Sequence, residues 1–137
     1  MSTRYSIDPQ RHLVLTVFDG DVSDADARAH VEALDADPQF DRKMSELVDL
    51  RGVTSTSVTS AGIRGAASAP VHALSARRAF VAPTDLLYGL ARMYQGYWNQ
   101  GYDDEVAIFR SVEPALQWLG MTDPPALAFG DEHRVDR

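Results

Sequence analysis

Short apolar runs alternate with longer segments of helical character along most of this chain. The runs are rich in β-branched and aromatic residues, which favours strands, and they lie at 13–18, 46–50, 78–82 and 106–109. The intervening segments 24–36, 61–67 and 86–98 are predicted as helices, and Ser111 and Gly120 bound a fourth. Strands that alternate with helices of this length are joined by crossover connections, so the pattern predicts a largely parallel sheet.

The chain opens with a different connection. Residues 5–7 lead into the turn signature Asp8-Pro9 and then into the run at 13–18, which predicts a hairpin. A hairpin makes the first strand antiparallel to the second. The predicted fold is therefore an α/β sandwich of order ββαβαβαβα, with a mostly parallel sheet and an antiparallel first strand.

Length and composition favour one domain. The chain has 137 residues, 45% of them hydrophobic, which suits a single core. We predict a domain over residues 1–120. The remaining residues, 121–137, begin with a proline pair and continue with mixed charges, so they are predicted to form a flexible C-terminal tail.

Charge and cysteine content exclude several classes of partner. A formal net charge of −7 repels nucleic acid, and the pair Arg77-Arg78 is interpreted as strand-edge charges. Cysteine is absent, which excludes disulfides and thiolate metal sites and fits a reducing compartment. No run approaches the ~20 apolar residues of a membrane span, and no signal peptide precedes the domain. We expect a soluble cytoplasmic protein.

Three carboxylates follow predicted strands and suggest one catalytic alternative. Asp19, Asp21 and Asp49 would meet at the edge of the sheet where ligands of α/β proteins bind. A receiver-like phosphoacceptor would combine them with Mg²⁺ and with a hydroxyl such as Thr84, and Arg110 stands where such a receiver needs a lysine. The non-catalytic interpretation is that these three aspartates are solvated residues of turns and helix caps.

Other catalytic patterns are missing from the sequence. The four histidines, at 12, 30, 72 and 133, lack metal-ligand spacing and are predicted at the surface or an interface. No nucleophile elbow or phosphate-binding glycine loop is present. We therefore predict no catalytic residue, no metal and no cofactor, and we expect that the protein is not an enzyme.

Two segments of the sequence are candidates for phosphorylation and for binding of a ligand or a second copy of the chain. Hydroxyl residues crowd the segment 54–60 before the second predicted helix, whose N-terminus would stabilise a phosphate. The candidate phosphorylation sites are Ser57, Thr59 and Ser60. The third predicted helix carries a candidate surface for a ligand or a homodimer, made of Tyr88, Gly89, Arg92, Tyr94, Gly96, Tyr97 and Trp98.

The segments 80–94, 105–110 and 115–120 resemble the SpoIIAA-like branch of the STAS family, and the likeness covers roughly residues 4–120. The resemblance implies the same hairpin-first α/β fold. In antagonist members, a phosphorylatable serine opens the helix after a strand, close to a glycine. Here 48–53 matches the strand and its exit, Ser57, Thr59 and Ser60 fall near the serine, and Gly62 falls near the glycine. The aspartate that usually precedes the serine is absent.

The resemblance also supplies the functional hypotheses. The leading one is a non-enzymatic binding or regulatory module for a protein partner or a small apolar ligand, since the fold is similar to that of lipid-binding CRAL-TRIO domains. The alternative is a phosphorylation-controlled switch of the anti-sigma-factor-antagonist type. The receiver-like Mg²⁺-dependent phosphoacceptor comes third.

Overall fold

The computed structural model describes residues 2–68, 76–98, 106–121 and 133–135. The first nine elements follow the predicted order ββαβαβαβα. In chain order they are β1 (Ser2–Asp8), β2 (Leu13–Val22), α1 (Asp24–Ala36), β3 (Ser45–Thr56), α2 (Ser60–Ser68), β4 (Arg78–Val81), α3 (Asp85–Trp98), β5 (Val106–Phe109) and α4 (Val112–Trp118), and a tenth element, β6 (His133–Val135), follows them.

The strands form one sheet in the order β5-β4-β3-β2-β1-β6. β1 pairs antiparallel with β2, as the hairpin signature predicts, whereas β2, β3, β4 and β5 pair in parallel. The predicted fold class is therefore confirmed.

The third strand runs further than the sequence suggested. It continues through residues 51–56, so the first part of the hydroxyl-rich segment is strand rather than the approach to a helix. The reason is the length of β2, which pairs Asp21 with Ser55 and Val22 with Thr56. Register shifts in β2 accompany this extension, and Gly20 there has a φ of 71°, which favours glycine.

A short strand lies within the segment predicted as a flexible tail. β6 pairs antiparallel with β1, with Thr3 opposite Val135 and Tyr5 opposite His133. It gives β1 a partner on its second side, where an edge strand would present unpaired backbone groups. Three residues of mixed polarity have no alternating apolar pattern, so this strand could not be predicted from the sequence. Residues 122–132 and 136–137 of the segment lie outside the described ones.

Local signals set the helix ends where they were predicted. Ser23 begins α1 through a capping box with Asp26, whose carboxylate accepts from the Ser23 backbone N–H at 2.7 Å. Ser111 precedes α4, and Gly120 follows it with a φ of 79°. None of the helices in the described ranges is long and apolar enough to cross a membrane.

The two faces of the sheet differ in what covers them. One face carries Leu13, Leu15, Leu47, Ala79 and Val81, which pack with Ala115, Leu116 and Leu119 around α4. Side chains alternate along a strand, so the neighbouring residues lie on the other face. That second face lies under α1, α2 and α3 and holds the candidate site.

Candidate functional site

A cavity of about 150 Å³ lies between the second sheet face and the helices α1, α2 and α3. Its walls are mostly apolar side chains from both layers, among them Phe18, Val31, Val48, Leu50, Val53, Val58, Ile63, Phe80, Leu87, Leu90 and Ala91. An apolar cavity of roughly this size is large enough to hold benzene. The fold thus contains a chamber for a small apolar molecule.

Three neighbouring strands place polar side chains at one end of this cavity. Thr16 of β2, Glu46 of β3 and Arg78 of β4 are 0%, 4% and 5% exposed. Glu46 and Arg78 are register partners on parallel strands, so their opposite charges lie side by side on one face. Both line the cavity, and Thr16 donates its hydroxyl proton to Glu46 Oε2 at 2.6 Å.

Helix α1 adds a buried histidine to this group. His30 Nε2 lies 3.0 Å from Glu46 Oε2, and its ring meets Tyr5 and Phe18 edge-on, with centroids 5.8 and 5.5 Å away. A carboxylate only accepts hydrogen bonds, so Nε2 carries the shared proton. Nδ1 of the same ring is buried and has no hydrogen-bond partner among the described residues.

Helix α3 completes the group with a tyrosine. Arg78 Nη1 donates to the Tyr94 hydroxyl, and the guanidinium carbon lies 5.1 Å from the centre of the Tyr94 ring. Burial raises the pKa of Tyr94 to about 12; the charge of Glu46 adds to this rise and the charge of Arg78 opposes it. The hydroxyl is therefore neutral at physiological pH. We call Thr16, His30, Glu46, Arg78 and Tyr94 the polar cluster.

The polar cluster corrects two interpretations of the sequence. His30 was predicted at the surface or an interface, and it is 6% exposed inside the domain. The sequence predicts Arg78 to be a strand-edge charge, but the residue is buried beneath α3. The signal that could have located the polar cluster is a charged residue at the first position of two predicted strands, Glu46 and Arg78.

The three carboxylates of the receiver-like alternative do not converge. Asp19 binds Arg4 at 2.7 Å, Asp21 accepts from Ser55 Oγ at 2.9 Å, and Asp49 binds the guanidinium of Arg51 at 2.8 Å. Across the described part of the chain, no three His, Asp or Glu side chains come together in a way that could hold a metal ion.

The two other residues of that alternative have local partners. Thr84 Oγ1 accepts from the Leu87 backbone N–H at 3.2 Å, at the start of α3. Arg110 binds Asp85 at 3.0 Å and stacks over the Tyr88 ring at 4.3 Å. Both side chains therefore make contacts at the N-terminal end of α3.

The candidate surface on α3 is divided between the inside and the outside of the domain. Tyr94 lines the cavity, while Tyr88 lies beneath Arg110 and Tyr97 lies 5.9 Å from the guanidinium of Arg64. The exposed members of the set are Gly89, Arg92 and Gly96, and the side chain of Trp98 lies outside the described residues. Tyr94 is thus separated from the exposed members of the predicted set.

The candidate phosphorylation sites lie in one exposed loop and the helix start after it. Ser57 and Ser60 are exposed. Thr59 caps α2, because its Oγ1 accepts from the Gly62 backbone N–H at 3.0 Å. The Thr59 hydroxyl also donates to Asp24 Oδ2 at 2.6 Å, and its backbone N–H donates to Oδ1 at 2.8 Å. These bonds lower the pKa of Asp24.

Comparisons with known proteins bear on the fold. No family model matches the sequence, and no curated protein matches it either. Among solved structures, the chain is similar to an uncharacterised protein of the DUF3478 family with a SpoIIAA-like fold from Shewanella loihica. The TM-score is 0.57 at 15% identity, and the match covers 87% of this chain and 95% of that one. With the hairpin-first sheet described above, the comparison shows that this chain has a SpoIIAA-like fold.

Proposed function

We propose that this protein is a non-enzymatic module that binds a small apolar molecule in the cavity between the sheet and α1, α2 and α3. The observation that carries the proposal is a chamber of about 150 Å³ whose apolar walls end in a buried polar cluster. Pockets for drug-sized ligands are about 300–1,000 Å³, so the size favours a smaller molecule over a lipid with a long acyl chain.

The chemistry of the polar cluster supports binding over catalysis. His30 Nε2 hydrogen-bonds to Glu46 Oε2, and the Thr16 hydroxyl donates to the same carboxylate oxygen. A general base must face the proton that it removes, and an activated nucleophile must face a base. Here His30 Nε2 and Thr16 both hydrogen-bond to Glu46, an arrangement that fits recognition of a bound molecule better than proton transfer.

Thermal unfolding with a hydrocarbon probe tests the proposal. Saturating methylenecyclohexane should raise the Tm of the wild-type protein, because a ligand that binds only the folded state stabilises it. Ala27 lines the cavity and Ala25 of the same helix is exposed. Ala27→Leu should therefore reduce the Tm shift, and the matched control Ala25→Leu should keep it. A wild-type Tm that neither methylenecyclohexane nor cyclohexanone changes would contradict the proposal.

A phosphorylation-controlled switch is the second candidate, and the contact of Thr59 with Asp24 favours it. A phosphate on Thr59 would place a near-dianion beside the Asp24 carboxylate and would remove the hydroxyl proton that binds it. Asp24 and Gly62 both line the cavity, so the loss of this contact would loosen the wall where α1 meets α2.

Phosphopeptide mapping from the native host tests the switch. Phosphate on Thr59, together with weaker probe binding by the phosphorylated protein, would support it. A segment 54–60 that stays unmodified under all growth conditions would count against it.

A further inference from the structure

At the polar end of the cavity, the Tyr94 hydroxyl carries a proton that no hydrogen bond within the described structure uses. In that part of the chain, the Tyr94 hydroxyl makes one hydrogen bond, which it accepts from Arg78. Its own proton is therefore available to an acceptor in the cavity that Tyr94 lines. A phenol that accepts from a guanidinium is polarised, which makes it a stronger donor.

The charges at this end of the cavity favour a neutral acceptor. Glu46 and Arg78 bring one negative and one positive charge on neighbouring strands, so their sum is zero. A carboxylate ligand would add a buried negative charge with no counter-charge, and burial of an unpaired charge is strongly unfavourable. A neutral oxygen meets the Tyr94 proton without this penalty.

We infer that the cavity selects a small apolar molecule that carries one neutral oxygen acceptor, a ketone, aldehyde, ether or alcohol, and that the Tyr94 hydroxyl donates to that oxygen. The inference rests on the proposed function and adds the chemical class of its ligand. The high pKa of Tyr94 agrees with it, because the hydroxyl keeps its proton at physiological pH.

Isothermal titration at pH 7 with three probes of one shape tests the inference. Cyclohexanone and methylenecyclohexane differ only in the replacement of an oxygen by a CH₂ group, and cyclohexanecarboxylate adds a charge. The wild-type protein should bind cyclohexanone about tenfold more tightly than methylenecyclohexane, as a hydrogen bond from a polarised donor implies. It should bind cyclohexanecarboxylate most weakly.

Tyr94→Phe assigns the selectivity to the hydroxyl. This variant should bind methylenecyclohexane as the wild type does and should lose the preference for cyclohexanone. Tyr88→Phe removes a hydroxyl from the same helix outside the cavity lining, and it should keep the preference. If Tyr94→Phe does not fold, the wild-type comparison still decides.

The outcomes separate this inference from the proposed function. Equal affinity of the wild type for the ketone and the hydrocarbon, or tightest binding of the carboxylate, would overturn the inference and leave the proposed function standing. A preference that survives in folded Tyr94→Phe would overturn the role of Tyr94. No binding of any probe would overturn the proposed function itself.

Discussion

The two faces of the same three strands bury different kinds of side chain. On one face, Leu15 of β2, Leu47 of β3 and Ala79 of β4 pack against α4 in an apolar core. One residue away on each strand, Thr16, Glu46 and Arg78 point to the other face and lie beneath three helices. Both faces share one backbone, so the two faces differ through the side chains that each presents.

This difference explains why the cavity is on the second face. A packed apolar face closes on its helix until few voids remain. Buried charges must instead keep their hydrogen-bond partners, and these partners come from the helices as His30 and Tyr94. α1 and α3 are therefore held at the polar cluster by directed contacts, while apolar side chains beside it line the partly open cavity.

Removal of one charge from the polar face should have the largest effect. Glu46→Gln leaves the Arg78 charge buried beside a neutral side chain, which should lower the free energy of unfolding by about 3–5 kcal/mol. Urea denaturation at pH 7 measures it. The double variant Glu46→Leu/Arg78→Met should recover most of the loss. A loss below about 1 kcal/mol for Glu46→Gln would show that the charge pair is unimportant for stability.

The second-largest effect is expected from Leu→Ala substitutions, which should lower the free energy of unfolding more on the packed face than on the cavity face. Leu47 lies in the packed core with α4, and Leu87 of α3 borders the cavity. Leu47→Ala should lower the free energy of unfolding by about 3–5 kcal/mol and Leu87→Ala by about 2–3 kcal/mol, because part of the Leu87 side chain faces the cavity rather than packed atoms. Urea denaturation of both variants checks this order. A greater loss for Leu87→Ala would contradict the contrast between the faces.

The loss of stability at high pH should reveal the raised pKa of the half-buried Tyr94 on the polar face. The pKa of Tyr94 is about 12 when folded, against an ordinary tyrosine pKa of about 10, so between these pH values the unfolded chain has lost a proton that the folded chain retains. Stability falls as pH rises through this window, by about 1 kcal/mol at pH 11 from Tyr94 alone. Tyr5, whose pKa is also raised by burial, adds to the loss.

Tyr94→Phe should remove the Tyr94 part of this alkaline loss. Unfolding in urea at pH 8 and at pH 11, for the wild type and the variant, measures it. An unchanged difference between the two pH values in the variant would mean that Tyr94 is open to solvent.

The smallest effect is expected at the rim of the cavity. Thr59→Ala removes the cap of α2, which should lower the free energy of unfolding by about 0.5–1 kcal/mol. Ser57→Ala, at an exposed position of the same loop, is the control and should change stability by less than about 0.5 kcal/mol. Thermal unfolding of both variants compares them. Equal effects would show that the Thr59 cap does not stabilise α2.

Local signals were enough to predict the fold. The helix ends at Ser23 and Gly120 rest on cap residues that act within one turn, and the strand at 106–109 stands in an apolar run of its own. The order of the elements then leaves few topologies.

The polar cluster could not be predicted in the same way. Glu46 and Arg78 lie 32 positions apart in the sequence and become neighbours through strand register alone. Each stands at the start of a strand, where a charge is usually solvated, and His30 lies on a helix with a strongly polar sequence. Tyr94 was named as a candidate, yet its direction into the domain depends on how α3 packs.

Crystallography under xenon pressure would show directly whether the second face contains an apolar cavity, because xenon enters such cavities and scatters anomalously. We expect an anomalous peak on the second face of the sheet, beside Val48, Phe80 and Ala91. We expect no peak in the packed core around Leu47 and Leu116. Side chains packed tightly between the sheet and α3, with no xenon between them, would contradict the proposed cavity.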